Sequence, residues 1–446
     1  MMFARAVALT GLLACVSGGG SPAQDRARLA QNLPARGPLT TMHDRPTTGT
    51  YLPALGSFDE TVLTYMEAHH IPGAALAIVR NGQLIYTRGY GYADLDDKTP
   101  ATPTSLFRLA SVSKPITAVA IMTLVQSGKL DLDAPVFPLL GLKPFLLPGH
   151  LPDPLLNSIT VRHLLEHAGG WDRDKSGDIM FQHFQAAREI GIASPPDHES
   201  LIRWAMGRPL DFAPGTRSAY SNFGFCVLGR VIEKVSGMPY EKYVQTKVLA
   251  PAGIHTMRIG KGHLAERFPQ EVHYYDPENR TGRSVFSADG RTPTPLPYAF
   301  ASPETMDAHG GWIASAVDMA HFMAKLDVPG EQPLLSQSTV AAMFARPQPP
   351  LGLDENGVPS AAYYAFGWNV RPVGNNDQMN RWHDGAMPGT STLMVRLADG
   401  LSWVILFNAR ADGNIDGLLH KAAAKVKEWP DQNLFRTYAE GASTHP

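Results

Sequence analysis

The chain has 446 residues, enough for one large domain or two to three ordinary ones. With 44% hydrophobic and 18% charged residues it can bury a sizeable core, which excludes a disordered tail protein. Lys+Arg total 39 against Asp+Glu 41, a net charge of -2, so no basic field exists to hold nucleic acid.

The first residues read as an export signal, residues 1–23. Arg5 supplies the positive start, and Val7 to Ala14 is an apolar run too short to span a bilayer. Two processing sites compete. Leu12-Leu13-Ala14-Cys15 resembles a bacterial lipobox, which would anchor the chain to a membrane through a lipid on Cys15. Ser21-Pro22-Ala23 resembles an ordinary small-residue cleavage site. Either predicts an exported protein, periplasmic or secreted. With Cys15 in the leader, Cys226 stands alone and no disulfide framework is expected. Residues 24–52, with Pro34, Gly37, Pro38 and Pro46, read as a linker or N-terminal arm.

From residue 53 the chain reads as one large folded unit. Phe58, Val62, Tyr65 and Met66 share one face of a predicted helix, which Pro72-Gly73 breaks. Two strand-like runs, Ala74 to Val79 and Gln83 to Tyr90, flank Asn81-Gly82, a strong hairpin signal. Ser111 opens a predicted helix that runs to about Gln126. Pro115 falls in its first turn, where the missing N–H is tolerated. Residues 127–305 are rich in helices and Pro loops, with helices predicted over Ile159 to His167, Ser200 to Met206, Phe223 to Ser236 and Tyr240 to Leu249. From about 306 the pattern turns mixed again. Ser315 and Asp318 make a capping box for Ala316 to Leu326. Strands are expected over Phe366 to Val370, Asn380 to Asp384, Thr392 to Leu397 and Trp403 to Asn408, then a helix over Ile415 to Glu428. The expected architecture is therefore an α/β (α+β) domain built from both ends of the chain, about 53–126 and 306–430. A mostly helical segment, about 127–305, is inserted between them.

Three short constellations carry chemistry. Ser111-Val112-Ser113-Lys114 places a hydroxyl and an amine at i and i+3, on one face at a helix start. A serine needs a base to become a nucleophile, and a desolvated lysine can serve. Tyr220-Ser221-Asn222 offers a phenol that can relay protons if cations lower its pKa, and an amide that can orient Lys114 or a substrate. His383-Asp384-Gly385 lies on a predicted strand. Gly385 would let a substrate lie against the strand edge, and the Ala386 and Ser111 N–H groups could form an oxyanion hole. Each pattern alone is short enough to arise by chance.

Taken together, in this order, they resemble the serine β-lactamase and penicillin-recognising superfamily, nearest its class C β-lactamase-like branch with the family VIII carboxylesterases. That family carries Ser-x-x-Lys, then Tyr-x-Asn, then Lys-Thr-Gly or His-x-Gly. Ser105 to Ala110, Ile159 to Leu165, Phe212 to Gly215, Ala308 to Phe322 and Phe366-Gly367-Trp368 extend the likeness over roughly residues 55 to 430. The resemblance implies an antiparallel sheet flanked by helices. It also implies catalysis by Ser111, Lys114 and Tyr220, with Asn222, His383, Gly385 and Ala386 binding substrate or oxyanion. No cofactor and no metal are implied. His383-Asp384 stands where a lactamase has Lys-Thr, which removes a positive charge for a substrate carboxylate and favours small neutral esters.

The leading expectation is thus an exported serine carboxylesterase working through an acyl-enzyme. A β-lactamase or a D-amino-acid peptidase or carboxypeptidase is the alternative. A rival pattern is His163-Leu164-Leu165-Glu166-His167, an inverted zinc motif whose histidines would fall at i and i+4 of a helix, pointing to a metallopeptidase. A catalytically silent cell-wall binder is the remaining option. The expected partner is a small ester, β-lactam or D-peptide, and the oligomeric state is left open.

Overall fold

The structure, a computed structural model, describes residues 45–287, 293–327, 333–354, 356–374 and 378–441. The expected leader, with Cys15, and the arm as far as residue 44 lie outside the described residues. The last part of the arm is a short strand, β1 (Thr47–Thr48). It is followed by α1 (Gly56–Ala68), β2 (Gly73–Arg80), β3 (Gln83–Asp94), β4 (Thr99–Pro100) and α2 (Ser113–Gln126). The elements that matter next are α3 (Val161–Leu165), α4 (Asn222–Ser236), α5 (Ala316–Asp327), β5 (Tyr363–Tyr364) and β6 (Asn369–Pro372). β7 (Met379–Met387), β8 (Thr390–Arg396), β9 (Leu401–Phe407) and α6 (Ile415–Ala424) complete the frame.

Asn81 and Gly82 turn β2 into β3 with φ of 51° and 77°, both in the left-handed region. That is the twist a two-residue hairpin needs. The same logic closes β8 onto β9, where Gly400 has φ 93°. The strands form one antiparallel sheet in the order β1-β3-β2-β9-β8-β7-β6-β5, with β4 on β3. The two ends of the chain meet at its centre: β9 pairs with β2 from Leu401↔Arg80 to Phe407↔Ala74.

Period-two alternation splits the sheet between two cores. Ala74, Leu76, Ile78, Trp403, Ile405 and Phe407 pack with α1 and α6. Ala75, Ala77, Val79, Val404 and Leu406 join the larger core that holds α2, α4 and α5. With both faces covered, these strands read as continuous apolar runs rather than alternating ones. α2 is buried on nearly every side, from Ser113 to Met122, which is why its sequence carries almost no polar face.

The regular elements between α2 and α5 are chiefly helical, but short strands also occur there. Arg258–Ile259 and Phe107–Arg108 flank Trp312–Ala314 in a three-stranded sheet, and Thr281–Arg283 pairs with Pro293–Pro295. The helix predicted over Ile159 to His167 is shortened to α3, because His167 takes φ 56° and leaves the helix. The strand predicted from Phe366 begins instead at Asn369. Gly367 has φ 78°, and a Cβ there would lie 2.9 Å from Ala118 Cβ and 3.0 Å from Lys114 O, so the turn presses directly on α2.

Asn408, fully buried just after β9, locks the sheet centre. Its Oδ1 accepts from Gly73 N at 2.7 Å and its Nδ2 donates to Tyr92 O at 3.1 Å. Asn408→Ala leaves a buried donor and acceptor without partners, and should cost about 2–4 kcal/mol. The expected observation is a lower urea midpoint with an unchanged slope. An unshifted midpoint would remove Asn408 from the account of the sheet.

Candidate active site

Ser111 lies in a single 3-10 turn, Ala110–Val112, that feeds into α2 two residues later than the sequence suggests. The residue before it, Ala110, holds φ 47°, a left-handed value that costs energy for any residue with a Cβ. This kink presents Ser111 at the mouth of the helix. The i, i+3 contact survives it, with Lys114 Nζ 3.1 Å from Ser111 Oγ.

Lys114 is fully buried. Its amine donates to Asn222 Oδ1 at 2.7 Å and to His309 O at 3.0 Å. Burial pushes its pKa well below the usual 10.5, and the charge of Arg173 pushes the same way, while Asp178 and Asp384 oppose it. A neutral amine has two hydrogens and one lone pair. The hydrogens satisfy Asn222 and His309, and the lone pair then faces the Ser111 hydroxyl, the arrangement a general base requires.

Tyr220 sits in the extended segment before α4, and its hydroxyl donates to Ser111 Oγ at 2.7 Å. Ser221 caps α4 by accepting from Gly224 N at 3.1 Å, and this fixes Asn222 as the first helical residue. The sequence reading makes proton relay conditional on cations lowering the tyrosine pKa. In the structure burial raises the phenol above its usual 10, although Arg173, 4.5 Å over the ring, acts in the other direction. Tyr220 is therefore a neutral proton donor rather than a phenolate base.

β7 brings the third constellation alongside. Its pairing with β6 ends at Trp382, so from His383 to Met387 it pairs with β8 on one side only. A Cβ at Gly385 would fall 2.4 Å from Leu109 O and 3.0 Å from Ser111 N, so glycine is needed for the strand to pass the nucleophile. Ala386 follows on the same strand and is exposed. His383 is buried, and both of its nitrogens are engaged. Nδ1 lies 2.6 Å from Asp384 O, a carbonyl that can only accept, so the proton sits on Nδ1. Nε2 then accepts from the Tyr364 hydroxyl at 3.1 Å. Burial pushes the imidazole down to about 4, against the pull of Asp384. His383 is thus neutral, as its residue type suggests, but it has no free N–H to offer a substrate.

The structure therefore gathers Ser111, Lys114, Tyr220 and Asn222 by direct contact, with Gly385 against the Ser111 amide and His383 joined through Tyr364. Sequence reasoning missed Asp178, whose Oδ2 accepts from Asn222 Nδ2 at 2.7 Å and so fixes which way the amide presents its oxygen to Lys114. It also missed Tyr364 and Arg173. None of the three belongs to a spaced motif with the residue it serves.

The zinc motif does not assemble. His163 Nδ1 accepts from Thr160 N at 3.3 Å as part of a capping box. The positive φ of His167 takes it off the helix, and its Nδ1 accepts from Ser221 N at 3.2 Å. Among the described residues, the one group of three potential ligands within 4.8 Å of one another is Asp94, Asp96 and His273, which contains neither.

The Lys114 shift has a measurable consequence. Between the folded pKa and 10.5 the unfolded chain binds one more proton at this site, so raising the pH stabilises the fold. Relative to Lys114→Met, the wild-type melting temperature should climb from pH 7 toward pH 10. A gap that does not change with pH would show that the folded amine keeps its proton.

Comparison with known proteins identifies the family and the fold. Protein flp of Staphylococcus aureus (strain COL) is 26% identical over 345 residues, 75% of this chain and 59% of that protein, so the chain spans only part of its relative. Penicillin-binding protein 4* of Bacillus subtilis (strain 168) is 28% identical over 81% of this chain and 74% of its own length. Among solved structures, the octameric penicillin-binding protein homologue from Pyrococcus abyssi superimposes with a TM-score of 0.62 at 24% identity, covering 84% of this chain and 79% of that one. EstCE1, a hydrolase with promiscuous acyltransferase activity, gives 0.62 at 23%, covering 83% and 98%. The D-amino acid amidase from Ochrobactrum anthropi SV3 gives 0.58 at 22%, covering 84% and 97%. The Beta-lactamase family model matches residues 58–426, which hold every residue of the site described above, and the chain belongs to that family.

Proposed function

We propose that this serine hydrolase is a carboxylesterase that forms an acyl-enzyme on Ser111 and prefers small neutral esters. The observation that carries the reading is the Ser111 hydroxyl held between a buried amine at 3.1 Å and a phenol at 2.7 Å. In the first half-reaction the Ser111 proton passes to Lys114 Nζ as Oγ attacks the ester carbonyl. The Ser111 and Ala386 N–H groups receive the oxyanion. Collapse breaks the C–O bond, and the leaving alkoxide takes a proton from Tyr220, which is replenished from Lys114. Water then attacks the acyl group, giving its proton to Lys114, and Lys114 passes that proton to Ser111 Oγ as the acyl C–Oγ bond breaks and the acid leaves. Asn222, held by Asp178, keeps Lys114 aligned.

The preference for esters rests on the neutral, fully engaged His383 and the exposed Asp384 beside it. Neither attracts a carboxylate. A D-amino-acid amidase or peptidase is the second reading, supported by the likeness to the Ochrobactrum anthropi enzyme.

An organophosphonate should give a single adduct by intact-mass spectrometry, mapping to Ser111, and Ser111→Ala should abolish turnover. Labelling elsewhere would sink the assignment. Substrate charge is tested with matched pairs, one scaffold carrying a free carboxylate or its methyl ester. kcat/KM should favour the neutral member, and His383→Lys with Asp384→Thr should narrow the gap. A wild type that prefers the carboxylate would move the lactamase or peptidase alternative ahead.

A further inference from the structure

His167 was singled out in sequence as a metal ligand, and the structure gives it other work. Its imidazole and backbone enclose the segment that carries Tyr220. His167 O accepts from Ala219 N at 2.8 Å, on one side of the tyrosine. His167 Nδ1 accepts from Ser221 N at 3.2 Å, on the other. Between these two bonds the His167 ring lies against the Tyr220 ring, with centroids 4.4 Å apart. Its other contacts are Tyr364 at 4.2 Å and Phe225 at 5.3 Å. Three separate contacts therefore hold one residue whose hydroxyl must stay within hydrogen-bond reach of Ser111.

The backbone is committed to this task. His167 holds φ 56°, a conformation that few residues with a Cβ adopt, and it does so two residues past the end of α3. The turn is what swings both its carbonyl and its ring toward residues 219–221. The ring must also remain neutral, because a protonated Nδ1 would donate and could not accept from Ser221 N. Burial, with the charge of Arg173 acting in the same direction, holds the imidazole well below its usual 6.5. Its Nε2–H has no hydrogen-bond partner among the described residues, so the clamp is kept at the cost of an unsatisfied donor.

The geometry assigns His167 as the positioning residue of the proton donor: it clamps Ala219 and Ser221 and stacks on Tyr220, so that the phenol meets Ser111 and the leaving group. This rests on the proposed role of Tyr220. It assigns no chemistry to His167 itself, which does not touch the reacting atoms.

The test exploits the leaving group. A 4-nitrophenolate leaves without a proton, whereas an ethoxide needs one, so a displaced Tyr220 should harm the ethyl ester selectively. Two variants tolerate the positive φ. His167→Gly removes both the ring and the acceptor. His167→Asn removes the ring, but its Oδ1 falls where Nδ1 was and can still accept from Ser221 N. In His167→Gly, kcat on the ethyl ester of one acyl group should fall about tenfold or more, with a much smaller fall on its 4-nitrophenyl ester, the pattern of lost proton donation. His167→Asn should recover a large part of that loss. Tyr220→Phe should show the same selectivity, and His167→Gly with Tyr220→Phe should be no worse than Tyr220→Phe alone. Equal losses on both esters, no recovery in His167→Asn, or additive losses in the double variant would overturn the assignment. If Tyr220→Phe loses nothing on the ethyl ester, the role of Tyr220 falls and the positioning role falls with it. If Tyr220→Phe loses selectively and His167→Gly does not, only the positioning role falls.

Discussion

Everything at this site depends on burying one amine. Lys114 has no exposed surface, yet it makes three hydrogen bonds, to Ser111, Asn222 and His309. An ammonium ion in that position would have to surrender its hydration, which is costly in an apolar interior, so the fold favours the neutral amine. The surrounding framework is arranged to make this possible. α2 carries Lys114 into the large core, and α4 brings Asn222 to meet it from the other side of the sequence. The His309 carbonyl comes from the loop just before Trp312–Ala314. Asp178 holds the Asn222 amide so that its oxygen, not its nitrogen, faces the lysine. Without that carboxylate the amide could turn over and present donors to a donor.

What could be read from sequence follows from how local each cause is. The Asn81-Gly82 hairpin, the Ser315–Asp318 cap and the i, i+3 pair at Ser111 and Lys114 are set by residues a few positions apart, and all three occur in the structure. Asp318 N donates to Ser315 Oγ at 3.0 Å, and Ser315 N donates back to Asp318 Oδ2 at 3.1 Å. The errors arise where a distant contact overrides local pattern. The histidine spacing of His163 and His167 is helical in sequence, but the bonds from Ala219 and Ser221 pull His167 into a left-handed turn. Phe366 to Trp368 has strand-like residues, but Gly367 must bend past α2. Asp178 and Tyr364 stand 44 and 19 positions from the residues they serve, and a spacing rule has no means of finding them.

The condition placed on the tyrosine, that cations lower its pKa, is not met for a related reason. A phenol beside cations is expected to lose its proton more easily, and Arg173 does favour that outcome. Residue types alone say nothing about depth, and depth decides the sign here. The enclosure that lowers the amine pKa raises the phenol pKa, because in both cases the low dielectric disfavours the charged form. A single physical cause thus moves the pair in opposite directions, the amine down and the phenol up, on the two sides of Ser111 Oγ.

The same cause acts on the histidines. His167 and His383 are both held neutral by burial; His383 engages both ring nitrogens, while His167 accepts through Nδ1 alone. At the exposed margin of the site lie Arg173, near Tyr220, and Asp384, beside Gly385, with the Asp178 carboxylate behind Asn222. Such an arrangement is suited to a reaction whose charge appears only transiently, on the carbonyl oxygen and the leaving oxygen. Backbone dipoles and a neutral phenol can stabilise that charge in a poorly screened cavity without first binding a counter-ion. A fixed lysine at the position of His383 would act on the ground state as well, by attracting anionic substrates before any bond is broken. Under the proposed ester preference, an imidazole tied to Tyr364 leaves discrimination to the geometry around Ser111 rather than to substrate charge.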